Sequence, residues 1–168
     1  MVAAHLAAEA MADLYEDVGH EAVEVLSREF LINGSELGDA AVLLDKDVCG
    51  LIAAYPAREY QSRQRVSLHH ALGSLSPEGG KKLISALRRL ADQIPQGRIE
   101  GAYIARFAVR ADLRGSGTAN RMLEQFLSDQ KTVSLHVRAD NSRAIAFYRR
   151  HGFIESDGAG THLLMSRI

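Results

Sequence analysis

Six consecutive residues, Arg114-Gly115-Ser116-Gly117-Thr118-Ala119, place two glycines, two hydroxyls and an arginine between an apolar strand-like run and a helix-like one. At such a handover the first backbone N–H groups of the helix lack intrahelical partners and sit at the positive end of its dipole. The turn is therefore suited to an anion, a phosphate above all. Gly115 and Gly117 permit positive φ and remove Cβ atoms that would keep phosphate oxygens from the amides, and Arg114 adds a fixed positive charge with several donors. The bland alternative is a Gly-rich helix start with no ligand. Gly115 to Asn120 lacks both the lysine of a P-loop and the third glycine of the dinucleotide fingerprint, which speaks against ATP and NAD.

The elements that must hold this turn can be read from periodicity. A strand, Tyr103 to Val109, leads into it, and a helix through Ser128 leads out, with Ala119, Met122, Leu123, Phe126 and Leu127 as its buried stripe. Thr132 to Arg138 alternates as a strand. Asp140 or Asn141 can cap the next helix, Gly152 can end it, and Phe153 is placed to pack back. A last hairpin runs from about Phe153 to Ser156 and His162 to Ser166, turning through Asp157-Gly158-Ala159-Gly160.

Ahead of the turn, Ala3 to about Leu31 reads as two amphipathic helices broken near Gly19. Ala41–Leu44 and Val48–Tyr55 read as a hairpin closed by Pro56. Ala57 to Leu75 is polar without a clear period and is expected to be an irregular connection. Lys81 to Asp92 is predicted as a helix with Leu83, Ile84, Leu87 and Leu90 on one face and Lys81, Lys82, Arg88 and Arg89 on the other, either solvated or facing a ligand. The element order predicts an α/β fold with a mixed, mostly antiparallel central sheet flanked by helices.

Composition sets bounds. The 168 residues fit a single domain, 1–168, and 46% hydrophobic with 24% charged residues at net charge −1 is a globular profile with no pointer to nucleic acid. Charge is uneven: Met1 to Gly50 holds 11 acidic and 2 basic residues, and the remainder 10 acidic and 18 basic. A basic second part suits a polyanionic small ligand and an acidic first part a cationic substrate. Alternatively, the two parts attract each other. Cys49, the only cysteine, lies among Val48, Leu51 and Ile52 and reads as a small core residue. No basic leader and no apolar run near the ~18 residues of a membrane span is present, so a cytoplasmic protein without a membrane partner is expected.

The segment Val109-Arg110-Ala111-Asp112-Leu113-Arg114-Gly115-Ser116-Gly117-Thr118-Ala119 resembles the acyl-coenzyme A loop of the GNAT superfamily of N-acetyltransferases, Arg/Gln-x-x-Gly-x-Gly/Ala after a strand ending in Val. A second family segment, Asn-x-x-Ala-x-x-x-Tyr with Gly-Phe after it, is matched by Asn141, Ala144, Tyr148 and Gly152-Phe153 behind the strand Val133 to Arg138. The resemblance runs from Tyr103 to Phe153 and extends to the hairpin at Ala41 to Tyr55. The strand that usually opens this fold is not visible ahead of the first helix.

The resemblance implies a GNAT-type fold, acetyl-CoA as donor, no metal, and an amine acceptor. Backbone of Phe107, Ala108 and Val109 is expected along the pantetheine arm, amides of Arg114, Gly115, Ser116, Gly117, Thr118 and Ala119 on the pyrophosphate, and Asn141 and Ala144 on the facing wall. Tyr148 is expected to protonate the leaving thiolate. Many relatives keep a Glu or Asp in the strand before the loop, whereas Ala105-Arg106-Phe107 has none. Glu100, His136, His69, His70 or a water chain remains as base. Arg106 suggests an ion pair or a substrate carboxylate. The missing carboxylate also leaves open a non-catalytic acyl-CoA-binding sensor or partner domain. Acidic residues such as Glu16, Asp17, Glu21 and Glu24 could attract a cation or form a solvated face, and a homodimer is the commonest assembly on general grounds.

Overall fold

The computed structural model describes residues 1–95 and 97–168. Six strands form one sheet in the order β1-β2-β3-β4-β6-β5: β1 (Ala41–Asp45), β2 (Asp47–Pro56), β3 (Ala102–Val109), β4 (Val133–Arg138), β5 (Ile154–Ala159) and β6 (His162–Arg167). Among the described residues only β3 and β4 run parallel, and α6 (Thr118–Leu127) supplies the crossover that a parallel pair requires. Among the described residues no strand precedes β1, in line with the absent opening strand.

Two irregularities in β3 shape everything around it. Against β2 the register steps from Ala53↔Arg106 to Ala54↔Ile104, leaving Ala105 as the extra residue of a bulge. One inserted residue reverses the alternation of faces: Ala102, Ile104 and Phe107 pack in one core, while Ala108 packs in the other. Against β4 the ladder consists of Ala102↔Val133, Tyr103↔Ser134 and Ile104↔Leu135 and stops there, so Ala105–Val109 and His136–Arg138 part in a V.

The sheet lies between two cores. One packs α1 (Val2–Glu9), α2 (Ala12–Tyr15), α3 (His20–Glu29) and α5 (Pro77–Ala91) on it through Leu6, Leu14, Val25, Leu26, Leu51 and Leu83. The other packs α6 and α7 (Ser142–Arg150) through Leu123, Ile145, Phe153 and Met165. Gly152 (φ 85) ends α7, and the Phe153 amide reaches back to the Tyr148 carbonyl at 3.1 Å, so the buried Phe153 ring seals the helix end.

Several sequence expectations need correction. The stretch after Pro56 is not irregular: a short 3-10 turn, Ala57–Glu59, leads into the 15-residue helix α4 (Tyr60–Ser74). Its buried positions are Arg63, Ser67 and Ala71, spaced four apart, so the face is helical but carries no large apolar residue to reveal it. Arg63 donates to Glu59, Asp39 and the Ser35 carbonyl, and Ser67 donates to Glu29 at 2.6 Å while accepting from the Glu36 amide. Helix α5 begins four residues earlier than expected, capped by Ser76 with Pro77 in its first turn, and Ile84 is partly exposed rather than on the buried stripe. The N-terminal helices break at Ala10-Met11 as well as at Gly19, and the last hairpin turns at Gly160-Thr161. Cys49 is buried on β2, as expected.

The uneven charge resolves as attraction between the two parts of the chain. Glu9 pairs with Arg114, Asp13 with Arg138, Asp17 with Arg89, Glu36 with Arg106, Asp39 with Arg63 and Asp47 with Arg110. No described helix is long and apolar enough to cross a membrane.

Gly101, just before β3, takes φ 67, its carbonyl accepting from the Ala57 amide, and a Cβ there would lie 2.0 Å from the Thr132 carbonyl oxygen. Gly101→Ala is expected to destabilise the fold by about 3 kcal/mol, through left-handed strain and a backbone clash. A denaturation midpoint unchanged from the parent would contradict this account of the β3–β4 junction.

Candidate active site

The turn after β3 is built by local geometry. Arg110 leads into a short 3-10 turn, Ala111–Leu113; Gly115 (φ 88) and Gly117 (φ 86) then take left-handed conformations, and Gly117 caps α6. Nothing lies within 4 Å of a Cβ built at either glycine, so the requirement there is conformational, with open space in front of the loop. The amides of Arg114 and Ser116 are used internally, on the Ala111 and Leu113 carbonyls, and that of Thr118 lies 3.4 Å from Ser116 Oγ. Among the described residues, the amides of Gly115, Gly117, Ala119 and Asn120 have no such acceptor, and these four residues line the cleft. Ser116 and Thr118 do not line it; their hydroxyls bond each other at 2.8 Å and brace the turn. The Arg114 guanidinium is engaged by Glu9 at 3.0 Å and by the Val109 carbonyl.

The V between β3 and β4 continues the loop inward. Phe107, Ala108 and Val109 line one arm, with no β4 partner on that side. On the facing wall stand Asn141, Ala144 and Tyr148 of α7. Asn141 caps α7 by accepting from the Ala144 amide at 3.0 Å. Tyr148 is buried among Phe107, Phe147 and Phe153 at ring distances of 5.3–6.4 Å. Burial alone pushes its phenol above the usual tyrosine value, so it stays protonated at neutral pH.

On the other face of the sheet, at the point where the V opens, Tyr103 Oη lies 2.9 Å from His136 Nδ1, and His136 Nε2 lies 3.2 Å from the Pro95 carbonyl. A carbonyl only accepts, so Nε2 carries the proton and Nδ1 accepts from the phenol. Burial lowers the His136 pKa against the pull of the Pro95 carbonyl, which keeps the ring neutral. Tyr103 is raised well above its usual value, chiefly by burial. Tyr60 packs edge-on to Tyr103 at 4.7 Å and Tyr55 tilts against it at 5.7 Å.

Of the four candidate bases, His136 alone faces the cleft. His69 is exposed on α4, His70 binds the Val25 carbonyl at 3.1 Å, and Glu100 pairs with Arg98. Arg106 is 4% exposed and bonded to Glu36 at 2.8 Å, so it forms the ion pair rather than a free receptor for a substrate carboxylate. Burial opposes its charge and is the largest single influence, but Glu36, with Tyr15, Glu29 and Tyr55 behind it, outweighs burial and holds it protonated. Glu36 also accepts from Tyr55 at 2.9 Å, so a carboxylate does reach β3, delivered from the loop between α3 and β1. Burial raises the nearby Glu29, whose Oε1 accepts from Ser67. Tyr103 and Glu36 carried no sequence signal; only their meeting in space marks them.

These parts border one continuous cleft of about 1740 Å³. Ligand pockets commonly hold about 300–1,000 Å³, so the cleft has room for two ligands side by side. Residues Glu9 to Asp13 cross above the V, with Glu9 on Arg114 at one lip and Asp13 on Arg138 and His162 at the other. Among the described residues no cluster of metal-ligating side chains is present.

Residues 4–153 match the profile of the Acetyltransferase (GNAT) family. A comparison with curated proteins finds no match. Among solved structures, an N-acetyltransferase from Staphylococcus aureus Mu50 superposes with TM-score 0.69 at 18% identity, covering 95% of this chain and 91% of that one. A protein described as an acetyltransferase superposes with TM-score 0.65 at 16% identity, covering 98% and 91%. The PaiA N-acetyltransferase from Thermoplasma acidophilum, solved in complex with coenzyme A, does so with TM-score 0.50 at 15% identity, covering 98% and 89%. A mixed sheet parted between two parallel strands, a helix-capping turn with free amides beside that gap and a family match over most of the sequence make this chain a member of the GNAT family of acetyltransferases, an acyltransferase enzyme.

Proposed function

We propose that the protein transfers an acetyl group from acetyl-coenzyme A to the primary amine of an acceptor by direct attack in a ternary complex. The observation that carries this reading is the pairing of two proton-handling groups at the V: Tyr148 on one face of the sheet and Tyr103–His136 on the other. In this reading the pyrophosphate lies on the amides of Gly115, Gly117, Ala119 and Asn120, and the pantetheine arm runs along Phe107 to Val109. The thioester then reaches the gap past Ile104 and Leu135.

The acceptor nitrogen attacks the thioester carbon, a C–N bond forms and the C–S bond breaks. An alkylammonium has a pKa of about 10 in water, so a proton must leave the nitrogen. Tyr103 takes it while passing its own to His136 Nδ1. The resulting imidazolium is bonded on both nitrogens, to Tyr103 Oη and the Pro95 carbonyl. Tyr148 gives its proton to the departing thiolate and is reprotonated through solvent. The dyad answers the missing strand carboxylate, and with it the only feature that favoured a non-catalytic binding domain.

Three measurements bear on this. Tyr148→Phe is expected to lower kcat by about 100-fold with little change in the KM for acetyl-coenzyme A; parental turnover would reduce Tyr148 to packing. In kcat/KM against pH, the parent should lose activity as His136 gains its proton, below the ordinary histidine value of about 6.5 because burial lowers it. His136→Ala should be slow and lack that acid limb, and a retained limb would remove His136 as the base. Gly117→Val forces a β-branched residue into φ 86, and coenzyme affinity by calorimetry should fall about tenfold or more. Unchanged affinity would remove the loop from the donor site.

A further inference from the structure

Beyond the Tyr103–His136 dyad the cleft continues into a chamber formed by the segment between β2 and β3. Leu83, Leu87, Leu90 and Ile94 stand along one stripe of α5 and its end, facing Leu68 of α4 and Leu14 of α2. The chamber is fenced on the far side. Helix α5 packs across to α2 and the turn after it, fastened by Arg89 to Asp17 at 2.8 Å. Gln93 and Gly97 abut the terminal hairpin: a Cβ at Gly97 would meet Asp157 and Leu164 within 2.9 Å and one at Gly160 would meet Gln93. The polar groups at its rim are Gln61, Gln64, Arg58 and Arg65. Arg58 is 81% exposed with its nearest carboxylate at 3.7 Å, and Arg65 has no ion pair among the described residues. The acidic residues that line the cleft and could have drawn a cation inward, Glu9, Asp13 and Glu36, are already paired with Arg114, Arg138 and Arg106.

From this we infer that the acceptor is a small primary amine with an apolar or aromatic body, rather than a polyamine or the terminus of a polypeptide. The inference rests on the acetyl-transfer reading and names the substrate class of that same cleft. The α4 and α5 walls offer no strand edge for the main chain of a peptide, since their backbone groups are bonded within the helices. A cationic rim opposes polycations. An apolar body fills the Leu and Ile wall, and desolvation of its ammonium favours the neutral amine that attacks.

The test uses the full chain with acetyl-coenzyme A, reading thiol release from 2-phenylethylamine, spermidine and an unmodified neutral tetrapeptide. The expected kcat/KM for 2-phenylethylamine exceeds the other two by about tenfold or more. Leu87→Trp, which fills the chamber, is expected to raise the KM for 2-phenylethylamine about tenfold and leave that for acetyl-coenzyme A within about twofold. Should that variant fail to fold, Leu87→Ala widens the same wall and is expected to shift preference toward 4-phenylbutylamine. A preference for spermidine or the tetrapeptide, or discrimination unmoved by a folded Leu87 variant, overturns the inference and leaves acetyl transfer standing. If 2-phenylethylamine binds the coenzyme A-saturated protein in calorimetry but no amine is acetylated, the transfer reading fails and the chamber assignment survives. Absence of both binding and transfer overturns both.

Discussion

The parting of β3 from β4 after three ladder pairs is the constraint on which the rest of the molecule depends. A sheet normally closes its interior by pairing every backbone group, and here two adjacent parallel strands stop doing so midway. The bulge at Ala105 coincides with that point and turns Phe107 toward one core and Arg106 toward Glu36. Because the gap passes through the sheet, groups from opposite faces border one cleft without a loop having to carry them. Tyr148 comes from a helix on one side and His136 from the strand itself, both on elements with buried, well-packed neighbours.

Around that gap the molecule is held by apolar packing on both faces and by ion pairs between its acidic beginning and basic remainder. The exposed pairs, such as Arg89–Asp17, each contribute on the order of 0–1 kcal/mol. Arg106–Glu36 is different in kind. It is nearly fully buried, and loss of one partner in such a pair costs roughly 3–5 kcal/mol because the other is stranded without water. The same pair ties the loop between α3 and β1 to β3, the strand that borders the cleft.

The second half of the fold was legible because its signals are local. The turn from Arg114 to Ala119, the alternation of Val133 to Arg138 and the Asn141 cap each state their geometry within a few residues. Helix α4 was not legible, since its buried face consists of Arg63 and Ser67, bonded to residues some 30 positions away, with only the small Ala71 in the apolar core. The site divides in the same way. The cleft residues expected to meet the donor fall within the two motifs, whereas Tyr103–His136 and Arg106–Glu36 are long-range pairs whose members look ordinary in sequence. The corrected fate of His69 and His70 follows from α4: a helix turned them toward solvent and toward α3, where an irregular connection would have left them free.

The crossing of Glu9 to Asp13 above the V gives the molecule an internal counter-anion. With Glu9 on Arg114, the loop's cation is already neutralised in the free protein. On the donor reading proposed above, an arriving phosphate exchanges places with a carboxylate rather than adding to a bare positive site. Association by exchange releases fewer small ions than association with an uncompensated cation, so affinity for an anion at this loop falls less steeply with added salt than its sequence would suggest. Glu9 ends α1, and α2, which follows it directly, walls the neighbouring chamber, so one short stretch of chain borders both sides of the cleft.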